Sequence, residues 1–334
     1  HQHFGCARWV YNYALNKKIT AYQSEKKSLS RFDIQADLPK LKKQEATAWL
    51  KEVNAQSLQA SLENLDKAYT RFFKEKKGFP KFKSKKDNRQ SFHVPQQSRV
   101  NFETSKLSLP KFKTDISIVL HRTFEGKIKT VTISKTPTGK YFASILVEVN
   151  EVVPTKKPIS ENKAVGIDLG IKTFATLSDG VIIENPKRLR KSLKKLKRLQ
   201  RTVSRQSKGG FNRAKSVKKL AIVHDKVANQ RKDFLHKTTT FLVRNYDTIC
   251  LETLTASNMM KNHRLAQALS DIAIGKFNEL MEYKANWYGK NILRIGRFEP
   301  SSRLCTCGVV NKELKLSDRV WTCKICNTKH DRDV

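Results

Sequence analysis

The chain has 334 residues and a net charge of +37, with 67 lysines and arginines against 30 aspartates and glutamates. This length suffices for two or three domains with a real hydrophobic core. No apolar run of about 18 residues occurs, which argues against a membrane span, and no secretory signal is visible. The charge excess favours a polyanionic partner, for which nucleic acid is the natural candidate and an anionic membrane the rival.

The first part of the chain, residues 1–89, has helical periodicity. One apolar helical face in FGCARWVYNYALN consists of Ala7, Tyr11, Ala14 and Leu15. A second amphipathic run repeats apolar residues at spacings of three and four: Leu58, Leu62, Leu65, Tyr69, Phe72 and Phe73. Gly78 and Pro80 end this run within KKGFPKFKSKK. We therefore predict that residues 1–89 are mainly helical.

Residues 91–150 change to short strands. The segment YFASILVEV alternates, so that one side carries Tyr141, Ala143, Ile145, Val147 and Val149. KTVTIS is a plausible partner strand, and the two fit a small β-barrel or a curled sheet. The following EVVPTKKPISENK has two prolines and little apolar content, which is typical of a linker.

A mixed α/β pattern begins at Ala164. AVGIDLGI, FATLSDG and VIIEN indicate a strand meander, and TICLE and ILRIG indicate two later strands. Between them lie a basic helix and a second helix that reaches about Asn245, and a further helix spans about Gly275–Gly289. The basic helix has an apolar stripe of Leu189, Leu193, Leu196, Leu199 and Val203. A meander followed by helices and then by strands that carry acids is the pattern of an RNase H-like fold.

Acidic residues end or interrupt several of these strands: Asp168 in AVGIDLGI, Glu252 in TICLE, and Asp331 or Asp333 near the last residues. In an RNase H-like fold such acids converge and hold two Mg²⁺ about 3.5–4 Å apart for phosphodiester chemistry. The alternative is that an acid at a strand end is a turn residue or a helix cap, as Asp179 in SDG is expected to be. Asp168 stands among apolar neighbours, and its predicted burial would be costly without a cation.

Six cysteines divide into two isolated residues and one cluster. Cys6 and Cys250 lie in apolar surroundings and are expected to be core residues. The spacing of Cys305, Cys307, Cys323 and Cys326 predicts a zinc ribbon in a reducing, cytoplasmic compartment. The two-residue bite of the first pair makes a tight chelate that could recruit His330. The alternative is a metal-free loop held by Leu314, Leu316 and Trp321.

Four segments together resemble one family: GIDLGIKTFATLSDG, CLETL, SSRLCTCG and WTCKICNTKHDRDV. They are similar to TnpB, the RNA-guided nucleases of bacterial insertion sequences, which are related to the type V CRISPR effectors. FGCARWVYNYALN and KGFPKFKSKK also resemble early TnpB segments, so the likeness covers nearly the whole chain. It implies a multidomain α+β protein: a helical recognition domain, a small wedge β-barrel and an RNase H-like (RuvC) α/β domain with a zinc ribbon.

The resemblance also implies boundaries and roles. The helical domain would span 1–90, the wedge 91–160, the RuvC domain 161–300 and the zinc element, which binds target nucleic acid, 301–330, with the last RuvC segment beginning at 331–334. Asp168, Glu252 and Asp333 match the three RuvC acids, which would bind Mg²⁺ and catalyse hydrolysis. Asp333 is preferred to Asp331 because the family's acid begins an Asp-x-Asn-Ala-Ala run, of which Asp333–Val334 is present.

Basic residues crowd the region from Lys187 to Lys237. A charge run is usually a solvated face, but at +37 a bound polyanion is the better account. Candidate nucleic-acid contacts are Arg188, Lys191, Lys195, Arg198 and Arg201 in the basic helix, and Lys81 and Lys83. Interleaved aromatic residues could stack on bases or pack in a core: Trp9, Tyr13, Phe79 and Phe82.

The leading functional hypothesis is a transposon-associated, Mg²⁺-dependent, RNA-guided DNA endonuclease. Its partners would be a guide RNA and a double-stranded target DNA, with no membrane, and the protein would be monomeric in the RNA complex and associated with the bacterial nucleoid. Two alternatives remain: a guide-RNA-directed DNA-binding repressor without cleavage, and a guide-independent RuvC-like nuclease. Because the chain begins at His1 and stops just after the last acids, we expect that it is trimmed at both ends.

Overall fold

The computed structural model describes residues 1–87, 90–296, 299, 303–314, 318 and 320–331, with the backbone alone at 256, 257 and 331. It divides into two compact units, His1–Glu151 and Val152–Val334. Among the described residues, no helix combines the length and the apolar character that a membrane crossing requires.

The first unit begins with helices α1 (Gln2–Glu25), α2 (Arg31–Gln35) and α3 (Asp37–Lys43), a 3₁₀ helix (Glu45–Glu52) and α4 (Ala55–Glu75). The predicted face of α1 is confirmed, because Ala7, Tyr11, Ala14 and Leu15 are all buried. It packs against Leu58, Leu62 and Leu65 of α4 in one core, which also contains Cys6 as predicted. The other predicted members of the α4 run are more exposed; Phe73 is 73% exposed.

The strands of the first unit are β1 (Gln90–Val94), β2 (Arg99–Asn101), β3 (Lys106–Ser108), β4 (Ile116–Ser117), β5 (Lys127–Lys135) and β6 (Tyr141–Glu148). In the described part of this unit they form two antiparallel three-stranded sheets, ordered β1-β5-β6 and β2-β3-β4. Both sheets and α1 contribute to one core of Phe4, Ala7, Phe92, Val94, Leu107, Leu109 and Val131. The alternation predicted for β6 holds for Ala143, Ile145 and Val147, which are half-buried, whereas Tyr141 is exposed.

The second unit contains β7 (Ala164–Leu169), β8 (Thr173–Leu177), β9 (Ile182–Glu184), α5 (Arg188–Arg205), α6 (Phe211–Asn245), β10 (Thr248–Glu252), α7 (Ala256–Met259), α8 (His263–Ile272), α9 (Ile274–Trp287), β11 (Asn291–Ile295), β12 (Val320–Thr322) and β13 (Lys329–Asp331). A five-stranded sheet has the order β11-β10-β7-β8-β9. The hairpins β7–β8 and β8–β9 are antiparallel, as the predicted meander requires, and β10 and β11 run parallel to β7.

The core of this unit lies on one face of the sheet. Val165 and Ile167 of β7 and Ile249 and Leu251 of β10 are at most 4% exposed. They pack against buried residues of α6 and α9: Leu235, Leu242, Val243, Phe277, Leu280 and Met281. The positions that alternate with these core residues in β7 and β10 therefore lie on the opposite face of the sheet.

Candidate functional site

Two of the predicted acids lie on neighbouring parallel strands. In the pairing of β7 with β10, Ile167 is opposite Leu251, and Asp168 and Glu252 are the next residues along each strand. Neighbouring strands are about 4.8 Å apart, so the backbones of Asp168 and Glu252 lie side by side at the carboxyl ends of both strands. Residues that are distant in the chain are thus brought together, as the carboxylate hypothesis requires.

Both acids also belong to the same face of the sheet. Ile167 and Leu251 point into the core, so the pleat directs Asp168 and Glu252 to the other side. Asp168 is exposed and Glu252 is half-buried. The predicted burial of Asp168 among apolar neighbours is therefore wrong, because Val165, Ile167 and Leu169 alternate with it and face the core side. Proximity to a second carboxylate, and not burial, is the observation that makes Asp168 a candidate metal ligand.

A cavity of about 290 Å³ adjoins Glu252 and contains a third acid that the sequence analysis did not single out. It is lined by Glu252, Met259, Ile295, Gly296 and Glu299, among others. Thr253 fixes the start of this loop, since both its hydroxyl and its amide donate to the carbonyl of Ile295. Glu299 was missed because it belongs to no strand or helix, and its approach depends on the pairing of β10 with β11.

The other acids that the sequence analysis considered are Asp331, Asp333 and Asp179. Asp331 is the last residue of β13. Asp333, the preferred third acid, lies outside the described residues. Asp179 is a turn residue, as predicted: its carboxylate accepts a hydrogen bond from the Val181 amide at 3.1 Å and another from the Tyr246 hydroxyl.

The four clustered cysteines converge on one point. Their Sγ atoms all lie within 4.8 Å of one another, with 3.3 Å between Cys305 and Cys326 and 3.7 Å between Cys307 and Cys323. Zinc–sulfur bonds of about 2.3 Å require sulfur–sulfur separations near 3.8 Å in a tetrahedron, so this donor set fits Zn²⁺. The tight Cys305-x-Cys307 bite is accommodated by a turn in which the Gly308 amide donates to the Cys305 carbonyl, with Gly308 at φ 84°.

The alternative prediction was a metal-free loop held by apolar residues. Part of that apolar set does pack against the inner side of the cysteine cluster. Cys305 and Cys323 are buried with Leu314 and Trp321, while Cys307 and Cys326 are exposed. Leu316, the other apolar residue of that alternative, lies outside the described residues.

Hydrogen bonding gives the exposed cysteines opposite pKa shifts. Hydrogen bonds with the Thr328 side chain and backbone, together with Cys305, lower the pKa of Cys326 to about 6. The pKa of Cys307 is raised to about 12, since hydrogen bonds with Cys305, Cys326 and Cys323 and desolvation outweigh the opposing effect of the Val309 backbone. Adjacent thiolates repel, so a divalent cation is what would allow all four sulfurs to be ionised.

The basic helix α5 presents the predicted residues to solvent. Lys191, Lys195, Arg198 and Arg201 are exposed, Arg188 is half-buried, and Leu196 and Val203 are buried against the rest of the unit. The start of this helix is fixed by Asp271 of α8, whose carboxylate accepts hydrogen bonds from the amides of Leu189 and Arg190. The apolar stripe and this cap together hold the charged face outward.

In the first unit, Lys81 and Lys83 are both exposed, and Lys83 also makes contacts within its own unit. The Asn12 side chain bonds both the amide and the carbonyl of Lys83, and the Lys83 Nζ lies 3.9 Å from the centre of the Tyr11 ring. Desolvation there lowers the pKa of Lys83. Among the interleaved aromatic residues, Phe79 and Phe82 are exposed, whereas Trp9 and Tyr13 stack on each other with ring centres 5.3 Å apart.

Comparison with known proteins identifies the family of this chain. Residues 144–263 match the sequence profile of the OrfB_IS605 family, described as "Probable transposase". Residues 275–334 match the "Cas12f1-like, TNB domain" profile, and residues 1–27 a "Helix-turn-helix domain" profile. A Streptomyces pristinaespiralis protein whose name includes "RNA-guided DNA endonuclease" is 40% identical over 99% of this chain and 82% of its own length. The chain belongs to the TnpB family.

Two further comparisons support this membership in the TnpB family. InsQ of Escherichia coli K12, whose name also includes "RNA-guided DNA endonuclease", is 32% identical over 99% of this chain and 84% of its own length. The Cas12f1 protein in a cryo-EM structure of a Cas12f1–sgRNA–target DNA complex superposes with a TM-score of 0.57, at 14% identity, over 98% of this chain and 79% of that chain. That likeness concerns the fold, which is multidomain α+β.

Proposed function

We propose that this TnpB-family protein is an RNA-guided DNA endonuclease that hydrolyses phosphodiester bonds at a carboxylate site containing Asp168 and Glu252. The observation that carries the proposal is the side-by-side position of these two acids on β7 and β10. The two relatives described above, both named as RNA-guided DNA endonucleases, support the guided nuclease activity. Asp333 is the third acid of the proposed site by its match to the family motif.

The second unit is proposed to be an RNase H-like, RuvC-type domain. In support, its central strand β7 is flanked on one side by an antiparallel meander and on the other by two parallel strands. This arrangement puts acids from a first strand and a later strand at the same edge of the sheet. The proposed division into recognition (1–90), wedge (91–160), RuvC (161–300) and zinc (301–330) segments follows the family resemblance.

Asp168 and Glu252 would hold two Mg²⁺, which supply Lewis-acid activation of water and charge stabilisation at the phosphate. Carboxylate oxygens are the ligands that Mg²⁺ prefers, and Asp168 is exposed enough for a phosphate group to approach it. The pairing of β10 with β7 keeps Glu252 beside Asp168, and the Thr253 hydrogen bonds to Ile295 attach the next residue to β11. Glu299 lines the same cavity as Glu252.

The cysteine cluster is proposed to bind Zn²⁺ as a structural ion. Its four sulfurs offer a closed set of ligands, which is the usual form of a structural zinc site. The guide RNA and the target duplex are the proposed partners, with the exposed face of α5 as one phosphate-binding surface and a monomeric protein in the complex.

The proposal is tested by comparing Asp168→Asn and Glu252→Gln with Glu184→Gln, an exposed acid at the end of edge strand β9. Co-expressed guide RNA, a matching plasmid and Mg²⁺ are supplied. We expect the first two variants to lose cleavage by at least about 10²-fold while retaining RNA and DNA binding, because each removes a metal ligand. Glu184→Gln is expected to cut normally.

Other outcomes of this experiment separate the alternatives. Target binding without any cutting by the unaltered protein would indicate a guided repressor. Cutting that needs no RNA would indicate a guide-independent nuclease. Full cleavage by Asp168→Asn in Mg²⁺ would reject the assignment of the active site.

A further inference from the structure

A histidine lies against the cysteine cluster. His330 is in β13, and in the antiparallel pairing with β12 it is opposite Trp321. The two rings stack, with centres 4.6 Å apart and an interplanar angle of 28°. The imidazole Nε2 of His330 is 3.0 Å from the Sγ of Cys305, a cysteine that is 2% exposed. Stacking on Trp321 therefore holds the ring with this nitrogen directed at a buried sulfur.

The geometry favours a hydrogen bond over a direct bond from His330 to a metal. The four sulfurs, all within 4.8 Å of one another, already complete a tetrahedral set. His330 does not belong to this group of mutually close ligand atoms. Its Nε2 approaches one of the four sulfurs, that of Cys305, at 3.0 Å, which is within hydrogen-bonding distance.

We propose that His330 is a positioning residue of the zinc site, donating its Nε2–H to the thiolate of Cys305 and so stabilising the four-cysteine ligand set. This inference rests on the proposal that the cluster binds zinc. Four thiolates around one divalent cation carry a net charge of about −2, and a donor to one of them offsets part of that charge. Cys305 needs such a donor because it is buried among Leu314, Trp321 and Cys323.

The other described hydrogen-bond partners of the Cys305 sulfur are weaker candidates for this role. The Thr306 hydroxyl is 3.9 Å away, and the other contacts are to cysteine sulfurs, including that of Cys326 at 3.3 Å, which are themselves proposed ligands. His330 is thus the closest polar contact of this sulfur among the described residues. It also joins β13 to the Cys305 turn, which lies far earlier in the chain.

The test uses the full chain and two metals, Zn²⁺ and Co²⁺. His330→Phe keeps a ring on Trp321 but removes the N–H, His330→Gln retains a donor, and His121→Phe is the control at an exposed histidine of the other unit. Zinc affinity is measured by competition with a chromophoric chelator. We expect His330→Phe to bind zinc about 10–100-fold more weakly, His330→Gln to recover much of that loss, and the control to be unchanged.

Co²⁺ absorption reports the ligands directly and does not depend on nuclease activity. We expect the sulfur-to-cobalt charge-transfer intensity of four thiolates in the unaltered protein, and the same intensity in His330→Phe at saturating Co²⁺. A spectrum of three thiolates and one nitrogen in the unaltered protein would overturn the proposal by making His330 a ligand. Unchanged zinc affinity in His330→Phe would overturn it too. Either result leaves the Asp168 experiment unaffected, so the two proposals fail separately.

Discussion

Arg231 of α6 and Asp271 of α8 form an ion pair, with 3.2 Å between Nη2 and Oδ1, at the first turn of α5. The Asp271 side chain is 6% exposed. The same carboxylate accepts the amides of Leu189 and Arg190, so it acts as a helix cap that belongs to another helix. One buried acid therefore connects three helices and orients the basic helix of the proposed nucleic-acid surface.

Replacing Asp271 with Ala should reduce the free energy of unfolding by about 3 kcal/mol, because it removes a cap and leaves Arg231 without its carboxylate. Asp233→Ala is the matched control, since Asp233 pairs with Lys237 on an exposed part of α6 and should cost less than about 0.5 kcal/mol. Urea denaturation followed by circular dichroism measures both. Equal stability of the two variants would contradict the role of Asp271.

Gly289 has a backbone that other residues rarely adopt. It lies at φ 61°, and a Cβ there would be 2.8 Å from the carbonyl oxygens of Pro154 and Thr155. Gly289→Ala should therefore destabilise the protein by about 2 kcal/mol or more. Gly275→Ala is the control, because Gly275 lies in α9 with no atom within 4 Å of its added Cβ, and the change should be neutral or stabilising by up to about 1 kcal/mol. Thermal unfolding measures both variants: we expect a lower melting temperature for Gly289→Ala and an unchanged or higher one for Gly275→Ala.

His93 makes the stability of the first unit sensitive to acid. Burial is the main cause that lowers its pKa from 6.5, Lys67 and Lys83 lower it further, and Glu63 opposes them. The unfolded chain therefore takes up this proton at a higher pH than the folded chain does. Stability linked to His93 should be fully present above about pH 6.5 and should fall as the pH decreases through the folded pKa.

Chemical denaturation between pH 5 and 8 of the unaltered protein and of His93→Gln checks this linkage. Glutamine can still meet the Thr132 hydroxyl, which lies 2.8 Å from the His93 Nδ1. We expect the stability difference between the two proteins to shift in favour of His93→Gln as the pH falls. A difference that is constant with pH would show that His93 has no such linkage.

The exposed face of α5 should contribute to the salt dependence of RNA binding. If Lys195 and Arg198 each neutralise one phosphate, replacing both with Ala should reduce the slope of log K against log salt by about 1.4–1.8. The charge-preserving pair Lys195→Arg and Arg198→Lys should keep the slope. Filter-binding titrations at several salt concentrations measure it, and an unchanged slope in the alanine variant would mean that this face is only solvated.

Much of the local architecture was predictable from sequence. The buried face of α1, the meander β7–β9, the long helix ending at Asn245 and the strands TICLE and ILRIG follow from apolar periodicity, which the structure confirms. The four cysteines were identified as one ligand set from their spacing, and their sulfurs do converge. These features depend on neighbouring residues and on the fixed periods of helices and strands.

The structure also changed the reason for regarding Asp168 as a site residue. Apolar neighbours suggested that it is buried, yet a strand directs alternate side chains to opposite faces, and Asp168 is on the exposed one. Glu299 beside Glu252 had no signal of its own, because its approach depends on which strand pairs with β10.

The amino-acid sequence alone determined the helices, the strands, the positive charge and the donor types available for zinc and magnesium. Only the tertiary structure decided that Glu252 lies beside Asp168, that Asp271 caps α5, and that His330 meets Cys305. The physical reason is that each of these pairs joins segments far apart in the chain. Their contact is set by which apolar faces are buried together and in which register, and no local pattern contains that information.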